Sequence, residues 1–504
     1  RNINGVNKMR KIKFSDFERG YTDAEKEMRY NPRFSAIFHD INGTYDRLIN
    51  IKSPKSILLG KKGVGKTAYA SKVSSTNNSN RLTFILKLHE LPYNEFVKIT
   101  DTNGQVLGTQ RYLHSWYLLL LTNIVKQLKE QDVADREALK SLKKIIYDLG
   151  FIDNRDFVRD ILTASKFNFK TNLPNMEFSI GYDGSQKIKF LNLTDLTNYF
   201  SDTYKSLGII KEVFPVIDGV DDVLRVNTSD EEIKDILSGL IRAVDSLNTK
   251  NFHNNTKFIL VIRDDIAKIV NDPDMNKIIQ DRGEKLDWYT NRARGTTDNL
   301  ILLFNKRYLV NKHLDLSYNR YKIWNSLFPD RISEYSSWDY FLEYTMYRPR
   351  DVIQFLNQFI DKYPNHHYIN IPTFKNELKN FSKDHFFEEM KNELIGFLDD
   401  EIIDSLYKIL QRLGSQNRRN FTLEEMLTTY TDLGYNYDRQ QVEGILLTLF
   451  NLGYIGIIRQ VNQKINGKYK QRTYLDFKHK DPRYSFDSKA KFVIHKGLFS
   501  ALNI

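Results

Sequence analysis

The stretch "SILLGKKGVGKTAYASKV", residues 56–73, decides the fold that this sequence predicts. An apolar run from Ile57 to Leu59 precedes a segment rich in glycine and lysine, and a helix-compatible run follows from Ala68. This order predicts a strand, a glycine loop and a helix. It is the context in which the spacing Gly-x4-Gly-Lys-Thr forms a phosphate-binding loop.

The residue types of this loop fit the binding of a nucleoside triphosphate. Glycines let backbone N–H groups approach a phosphate closely, and the N-terminus of the following helix adds a partial positive charge. We expect Lys66 to reach the β- and γ-phosphates and the Thr67 hydroxyl to ligate Mg²⁺. The candidate nucleotide-binding residues are Gly60, Lys61, Lys62, Gly63, Val64, Gly65, Lys66, Thr67 and Ala68.

Two other interpretations of this loop stay open. A flexible basic turn would give the bare pattern by chance on the order of 1% of the time in a chain of this size. The run from Gly63 to Ala68 also fits the looser dinucleotide fingerprint, with Glu90 closing the next strand, "LTFILKL". That fingerprint leaves the Lys-Thr pair unexplained, and the phosphate loop is therefore favoured.

A second segment, "EVFPVIDGVDDVL" (212–224), predicts a buried strand that ends in Asp218. Ligands of parallel α/β sheets bind at the carboxyl ends of the strands, so Asp218 is expected to hold Mg²⁺ through its water shell. Many hydrolytic phosphate-loop enzymes have a glutamate directly after this aspartate, but here the next residue is Gly219. Asp221 and Asp222 follow in the loop and are the candidates for orienting an attacking water.

The next apolar segments add candidate arginines. "TKFILVIRDDI" (256–266) predicts a third strand, after which Arg263 could sense the γ-phosphate or face a neighbouring subunit. The alternative is an N-cap cluster at Asp264 and Asp265, with Arg263 in a salt bridge. "LILLFNKRYLV" (300–310) predicts a strand and a helix, in which Arg307 could point towards nucleotide.

A fourth segment, "TMYRPRDVIQFLNQF" (345–359), predicts an amphipathic helix with Pro349 in its first turn. Arg348 or Arg350 could swing from this helix N-terminus towards a γ-phosphate. The alternative is an exposed capping cluster.

Composition limits the remaining possibilities. The 504 residues, 41% of them apolar, suggest two to four domains with real cores. No apolar run approaches the ~18 residues of a membrane span, so we expect no membrane partner.

The absence of cysteine excludes disulfides and thiolate metal sites and fits a cytoplasmic location. A net charge of +12 favours an anionic partner such as nucleic acid, although an AT-biased genome gives the same lysine-rich composition. The chain begins with Arg1, and we leave open whether a further segment precedes it.

Four domains are expected along the chain. They are a helical lead-in (1–50), a phosphate-loop core (51–310) with a helical and β-hairpin insertion at about 91–200, a helical lid (311–396) and a winged-helix domain (397–504). The last assignment comes from the order of three helices and two strands. Its third helix (438–452) carries little positive charge, so either DNA or a partner protein is expected to bind this domain. The basic residues lie instead in the wing, at Arg459, Lys464, Lys468, Lys470 and Arg472.

With these motifs in this order, the chain resembles a bacterial family of stand-alone phosphate-loop ATPases with an ASCE/AAA+-like α/β core. The resemblance rests on "GKKGVGKT", "FPVIDGVDD", "ILVIRDDI", "LDW", "RPRD" and "FVIHKGLFSALNI". It implies that Lys66 and Thr67 are the Walker A pair and that Asp218 is the Walker B aspartate. It also implies that Arg263 lies near the sensor 1 position. The "RPRD" box followed by a winged helix looks like the lid of archaeal origin-recognition initiators, in which Arg348 or Arg350 would be sensor 2.

The resemblance also carries an expectation about the biological role. "IDGVDD" is similar to the "hhhhDGxD[DE]" form of STAND-type switches, which puts fast hydrolysis in doubt. Members of the family frequently lie among bacterial genes for defence against phage and mobile DNA. The expected function is therefore an ATP- and Mg²⁺-dependent switch ATPase that forms homo-oligomers. The alternative is a nucleic-acid-binding or scaffold protein that holds nucleotide structurally, and a dinucleotide enzyme is a third, weaker possibility.

Overall fold

The chain forms two compact units in a computed structural model. The first unit is Asp40–Leu286, and the second is Arg1–His39 together with Asp287–Ile504. The four domain ranges expected from the sequence stay predictions. The structure describes residues 12–88, 110–148, 177–179, 187–189, 193–220, 229–250, 255–270, 273–289, 298–311, 320–416, 419–465 and 468–504.

Strands and helices are numbered in chain order. The strands are β1 (Ile57–Leu59), β2 (Arg81–Lys87), β3 (Glu177–Ser179), β4 (Lys187–Lys189), β5 (Glu212–Asp218), β6 (Ile259–Ile262), β7 (Gly283–Lys285), β8 (Arg331–Ile332), β9 (Tyr335–Ser336), β10 (Asn420–Phe421), β11 (Ile455–Ile465), β12 (Lys468–Asp476) and β13 (Lys491–Ile494). The helices are α1 (Ala24–Tyr30), α2 (Phe34–Ile37), α3 (Thr44–Ile49), α4 (Lys66–Ser74), α5 (Gln110–Gln127), α6 (Arg136–Asp148), α7 (Leu193–Ser206), α8 (Asp230–Lys250), α9 (Asp264–Ile269), α10 (Pro273–Arg282), α11 (Asn299–Leu309), α12 (Lys322–Leu327), α13 (Ser337–Leu342), α14 (Pro349–Lys362), α15 (Ile371–Phe381), α16 (Phe387–Leu394), α17 (Asp400–Gln416), α18 (Leu423–Asp432) and α19 (Arg439–Leu452).

A five-stranded parallel sheet forms the centre of the first unit. Its strand order is β2-β5-β6-β1-β7, and every pairing between neighbours is parallel. The predicted parallel α/β sheet is therefore confirmed. Because the strands run in one direction, the residues that follow β1, β5, β6 and β7 lie at one edge of the sheet. β6 separates the strand that precedes the glycine loop from the strand that ends in Asp218.

Apolar residues of the sheet and of the helices that cover it form a buried core. Every residue of β1 and of β6 is buried, as expected for central parallel strands. The apolar run in α5 packs against α8, where the Trp116 indole N–H donates to the carbonyl of Ile236 at 3.0 Å. Among the described residues, no helix combines the length and the hydropathy that a membrane crossing requires.

The structure corrects one predicted element and confirms another. Residues 299–309 form the single helix α11, so the strand predicted within 300–310 is wrong. Asp298 caps this helix by accepting from the backbone N–H of Ile301 at 3.1 Å, and a short apolar run cannot by itself distinguish strand from helix. The fifth strand is instead β7. The predicted hairpin is present as the antiparallel pair β3–β4.

The second unit combines an aromatic helical core with a small antiparallel sheet. The Trp324 ring contacts Trp338 and Phe341 at centroid distances of 4.6 and 5.8 Å. In the tail, the three expected helices are α17, α18 and α19, and the expected two-stranded ribbon is β11–β12. The sheet order is β10-β13-β11-β12, so a strand near the chain end, which the sequence did not predict, pairs with both β10 and β11. The winged helix-turn-helix assignment of the tail stays a prediction.

Lys257, at the amino end of β6, should make the stability of the first unit depend on pH. Its ammonium donates to the carbonyls of Arg47 and Asn50, both at 2.9 Å. Burial, reinforced by the charge of Arg282, lowers the pKa of Lys257 to about 7. Between pH 7 and about 10.4 the folded chain therefore binds fewer protons at this site than the unfolded chain, so stability rises with pH.

We expect the Lys257→Met variant to lose that pH dependence. The free energy of unfolding of the wild type, taken relative to the variant, should rise by up to about 1.4 kcal/mol per pH unit above pH 7. Urea unfolding of both proteins at pH 6, 7.5 and 9 measures the difference. If the difference in the free energy of unfolding between the two proteins is the same at all three pH values, burial does not lower the pKa of Lys257.

Candidate functional site

The glycine loop between β1 and α4 depends on three of its glycines. Gly63 and Gly65 have φ angles of +80° and +92°, a region that costs roughly 1–2 kcal/mol for residues with a Cβ. Gly60 is required for a different reason, because a Cβ added there would lie 2.6 Å from a methyl carbon of the buried Val64. The Gly-rich pattern therefore reflects the conformation and the close packing of this loop.

Lys66 is the first residue of α4, and its side chain folds back over the loop. Its ammonium donates to the carbonyls of Gly60 at 2.9 Å and of Lys61 at 3.0 Å. These two carbonyl oxygens lie where the loop leaves β1. The ammonium is thus held above the turn whose backbone would surround a phosphate.

Thr67 and Asp218 meet at the carboxyl edge of the sheet although they lie 151 positions apart in the chain. The Thr67 hydroxyl donates to one carboxylate oxygen of Asp218 at 3.0 Å, and the other oxygen accepts from the backbone N–H of Gly219 at 2.8 Å. A hydroxyl and a carboxylate are the oxygen ligands that Mg²⁺ prefers. The donor set therefore fits a Mg²⁺ ion bound together with nucleotide phosphates.

The backbone explains why glutamate is absent after Asp218. Gly219 has a φ of +86°, which glycine adopts freely and a residue with a Cβ adopts at a cost. The turn after β5 therefore excludes an unstrained glutamate at this position.

Two arginines that the sequence analysis considered near the nucleotide, Arg263 and Arg307, instead form ion pairs with carboxylates. Arg263 follows β6 but is 6% exposed, and its guanidinium donates to Asp265 at 3.0 and 2.5 Å. This is the salt bridge of the alternative interpretation. Arg307 donates to the buried Glu27 at 2.6 and 3.0 Å, in the second unit. Asp221 and Asp222 lie outside the described residues, and their roles stay predictions.

One ion pair at the sheet edge was not predicted as part of the site. The ammonium of Lys285, the last residue of β7, lies 3.3 Å from a carboxylate oxygen of Asp264, which follows β6. Because β6 and β7 flank β1, this pair lies beside the start of the glycine loop. Recognising "GEK" as a strand would have placed Lys285 here, but three residues carry too weak a pattern.

The two arginines of the "RPRD" box differ in their surroundings, within the second unit. Arg348 is 2% exposed, donates to Asp351 at 3.1 and 3.2 Å, and also bonds the buried Glu393. Arg350 is more exposed and donates to Glu389 at 2.8 Å. Arg348 is therefore held in a buried ion-pair network, whereas Arg350 needs to break one partly exposed pair in order to move.

We expect Gly60→Ala to destabilise the first unit by about 1–3 kcal/mol, the usual cost of overpacking. The added methyl group would overlap the Val64 side chain, so Val64→Ala should relieve much of the loss. Thermal unfolding of wild type, both single variants and the double variant measures the coupling. Additive effects in this cycle would mean that the two side chains do not compete for the same space.

The chain was compared with protein families, with curated proteins and with solved structures. A family model described as the FunZ-associated C-terminal helical domain matches residues 298–388. No curated protein matches the chain significantly. Among solved structures, the chain is similar to the Walker-type ATPase PABY2304 of Pyrococcus abyssi (14% identity, 93% of this chain and 96% of that chain, TM-score 0.39). It is also similar to Cdc6p from Pyrobaculum aerophilum (13% identity, 92% and 94%, TM-score 0.30). We draw no conclusion from these two likenesses, and the family match concerns a helical segment of the second unit.

Proposed function

We propose that the chain binds ATP with Mg²⁺ and acts as a regulatory switch ATPase. The carrying observation is the 3.0 Å hydrogen bond from Thr67 to Asp218, which joins the glycine loop to the strand-terminal carboxylate. Two motifs that are distant in sequence therefore supply one oxygen-rich edge beside a loop suited to phosphate.

In this proposal the chain's own residues bind and orient the triphosphate. Lys66 exchanges the carbonyls of Gly60 and Lys61 for β- and γ-phosphate oxygens. Thr67 would ligate the metal directly, and Asp218 would hold it through water. When bound, Mg²⁺ neutralises charge on the transferred phosphoryl group. Asp221 or Asp222 orients the attacking water.

We expect slow ATP hydrolysis because of the residue that follows Asp218 in the turn after β5. Because Gly219 occupies the place of the usual glutamate, the water must be oriented from further along the loop. A long-lived ATP-bound state suits a switch, whose output depends on which nucleotide is bound.

Arg350 is the proposed sensor of the γ-phosphate, since Arg348 is held by buried carboxylates. We expect Arg350→Ala to lower kcat by about tenfold or more while changing ATP affinity by less than about threefold, because a γ-phosphate sensor acts mainly in the transition state. Single-turnover hydrolysis and equilibrium binding of ATP separate the two effects. If ATP affinity falls by as large a factor as kcat, Arg350 contributes to binding of ATP in the ground state.

The tail is the proposed output of the switch. Within the second unit, the Tyr454 hydroxyl donates to Glu393 at 2.7 Å, and Glu393 also bonds Arg348 of the "RPRD" box. This chain of contacts connects the lid to Tyr454, the residue directly before strand β11 of the ribbon. We propose that the tail moves with the lid and, as a winged helix, engages DNA or an effector protein. A role in bacterial defence is proposed from the family resemblance alone.

Phosphate release with and without duplex DNA, on protein sized by chromatography in ATP and Mg²⁺, tests this function. We expect slow release, a change of rate with DNA or partner, and a nucleotide-dependent oligomer. Bound ATP with no release in either condition would select the alternative, a scaffold that holds nucleotide structurally. Thermal protection by NAD but not by ATP would select a dinucleotide enzyme.

A further inference from the structure

A cavity of about 120 Å³ opens at the amino ends of three sheet strands, the edge opposite to the glycine loop. Ser56 and Arg282 directly precede β1 and β7, and Lys257 lies two residues before β6. All three line the cavity, together with Lys52. The cavity therefore lies across the sheet from the proposed nucleotide site and belongs wholly to the first unit.

The cavity is lined by three cations. Lys257 is 4% exposed and makes no ion pair with a carboxylate within the described ranges. Two of its three N–H groups donate to the carbonyls of Arg47 and Asn50 at the C-terminal end of α3, which leaves one donor. Arg282 uses Nε for Asp245 and one terminal nitrogen for Thr249, and its other terminal nitrogen has no partner in the described part of the chain.

Arg282 is paired with Asp245 at 2.8 Å, but the charge of Lys257 and one hydroxyl at this cavity lack compensation. Arg282 repels the ammonium of Lys257 and lowers its pKa, with Glu284 acting weakly in the opposite direction. The hydroxyl oxygen of Ser56 is buried and has no hydrogen-bond partner among the described residues. Buried polar groups are normally hydrogen-bonded, so an unpaired hydroxyl beside a cavity points to a missing acceptor.

We propose that this cavity is a binding site for a small inorganic oxyanion of the phosphate or sulfate class. The Ser56 hydroxyl, the remaining N–H of Lys257 and the free terminal nitrogen of Arg282 would donate to its oxygens. Its volume is several times the roughly 10–15 Å³ that one water needs, yet below the ~300 Å³ of typical pockets for larger ligands. The site therefore suits a free oxyanion and not a nucleotide.

Lys257 makes the proposed binding depend on pH. Because its ammonium has a pKa of about 7 in the anion-free protein, the charge that attracts the anion is lost as the pH rises. The charged groups that act on it are Arg282 and Glu284. Sulfate keeps its charge across this range, so its affinity should fall by about tenfold per pH unit above pH 7.

Sulfate binding to the Lys66→Ala protein tests the site, because that background weakens anion binding by the glycine loop. We expect saturable heat of binding with sodium sulfate at pH 6.5, with sodium chloride at equal ionic strength as the reference. Ser56→Ala in the same background should weaken binding by about tenfold, the effect of losing one hydrogen bond of about 1.4 kcal/mol. Lys257→Met should abolish the binding.

A second variant and a control variant allow the sulfate-binding test to be interpreted. Ser56→Ala removes one hydroxyl and carries the test if Lys257→Met fails to fold. Lys140→Ala, an exposed lysine of the same unit, should bind sulfate normally. No saturable binding at pH 6.5, or sulfate affinity in both the Ser56 and Lys257 variants equal to that of the Lys66→Ala protein, would show that Lys257 only caps carbonyls at the C-terminal end of α3. Neither result would alter the proposed ATP site, which is tested separately.

Discussion

Lys66→Ala should abolish ATP binding at ordinary assay concentrations. The ammonium would lose its charge-assisted hydrogen bonds to the β- and γ-phosphates, each of which contributes about 1.5–3 kcal/mol. Two such bonds correspond to a loss of roughly 100-fold or more in affinity. Lys66 is partly exposed at the start of α4, so the variant should still fold. Titration calorimetry with ATP and Mg²⁺ measures the effect.

Lys140→Ala is the matched control for this variant. Lys140 is an exposed lysine on α6 of the same unit, so its loss removes the same charge without touching the glycine loop. We expect wild-type affinity from the control. Normal ATP affinity in Lys66→Ala would overturn the proposed binding site, since no arrangement of the loop explains tight binding without this ammonium.

Arg348→Ala should destabilise the second unit by about 3–5 kcal/mol, the usual cost of removing one partner of a buried ion pair. Its loss leaves the carboxylates of Asp351 and Glu393 buried without their cation. Burial alone would raise the pKa of Asp351, but the charges and hydrogen bonds of Arg348 and His385 together outweigh burial and hold that pKa below its usual value. The stability that Asp351 contributes is therefore present above the unfolded pKa of about 3.9 and is lost as the pH falls.

Arg350→Ala is the control, because its pair with Glu389 is partly exposed. Because this pair is less buried than the Arg348 network, the variant should lose clearly less stability than Arg348→Ala. Adding Glu393→Gln to Arg348→Ala should recover part of the loss by removing one buried charge. Urea unfolding followed by tryptophan fluorescence suits the measurement, because Trp324 and Trp338 lie in this unit. Equal effects of the two arginine substitutions would refute the assignment of Arg348 as a buried structural residue.

Local patterns predicted the glycine loop and its surroundings well. The order of strand, loop and helix around Lys66 and the strand ending in Asp218 depend on short-range periodicity and on residues with special backbone requirements. The start of α14 at Pro349 was predictable for the same reason. The parallel sheet then brings Thr67 and Asp218 to one edge, which topology alone implies.

Features set by distant contacts could not be predicted. Arg348 finds Glu393 45 positions away, and no local pattern indicates that partner. β13 becomes a strand because it pairs with both β10 and β11 in the tail. The run at 300–310 could form a strand or a helix, and the Asp298 cap together with tertiary packing decides for a helix. The φ of Gly219, which excludes an unstrained glutamate, is likewise a property of the folded turn.

The most direct measurement of the central claim is the dependence of ATP affinity on Mg²⁺ in wild type, Thr67→Val, Asp218→Asn and the double variant. If the Thr67 hydroxyl and the Asp218 carboxylate hold one metal with the phosphates, Mg²⁺ should tighten ATP binding in the wild type. Each single variant should lose most of that gain, and the double variant should lose no more, because the two residues act on the same ion. An equal Mg²⁺ effect in all four proteins would contradict the account.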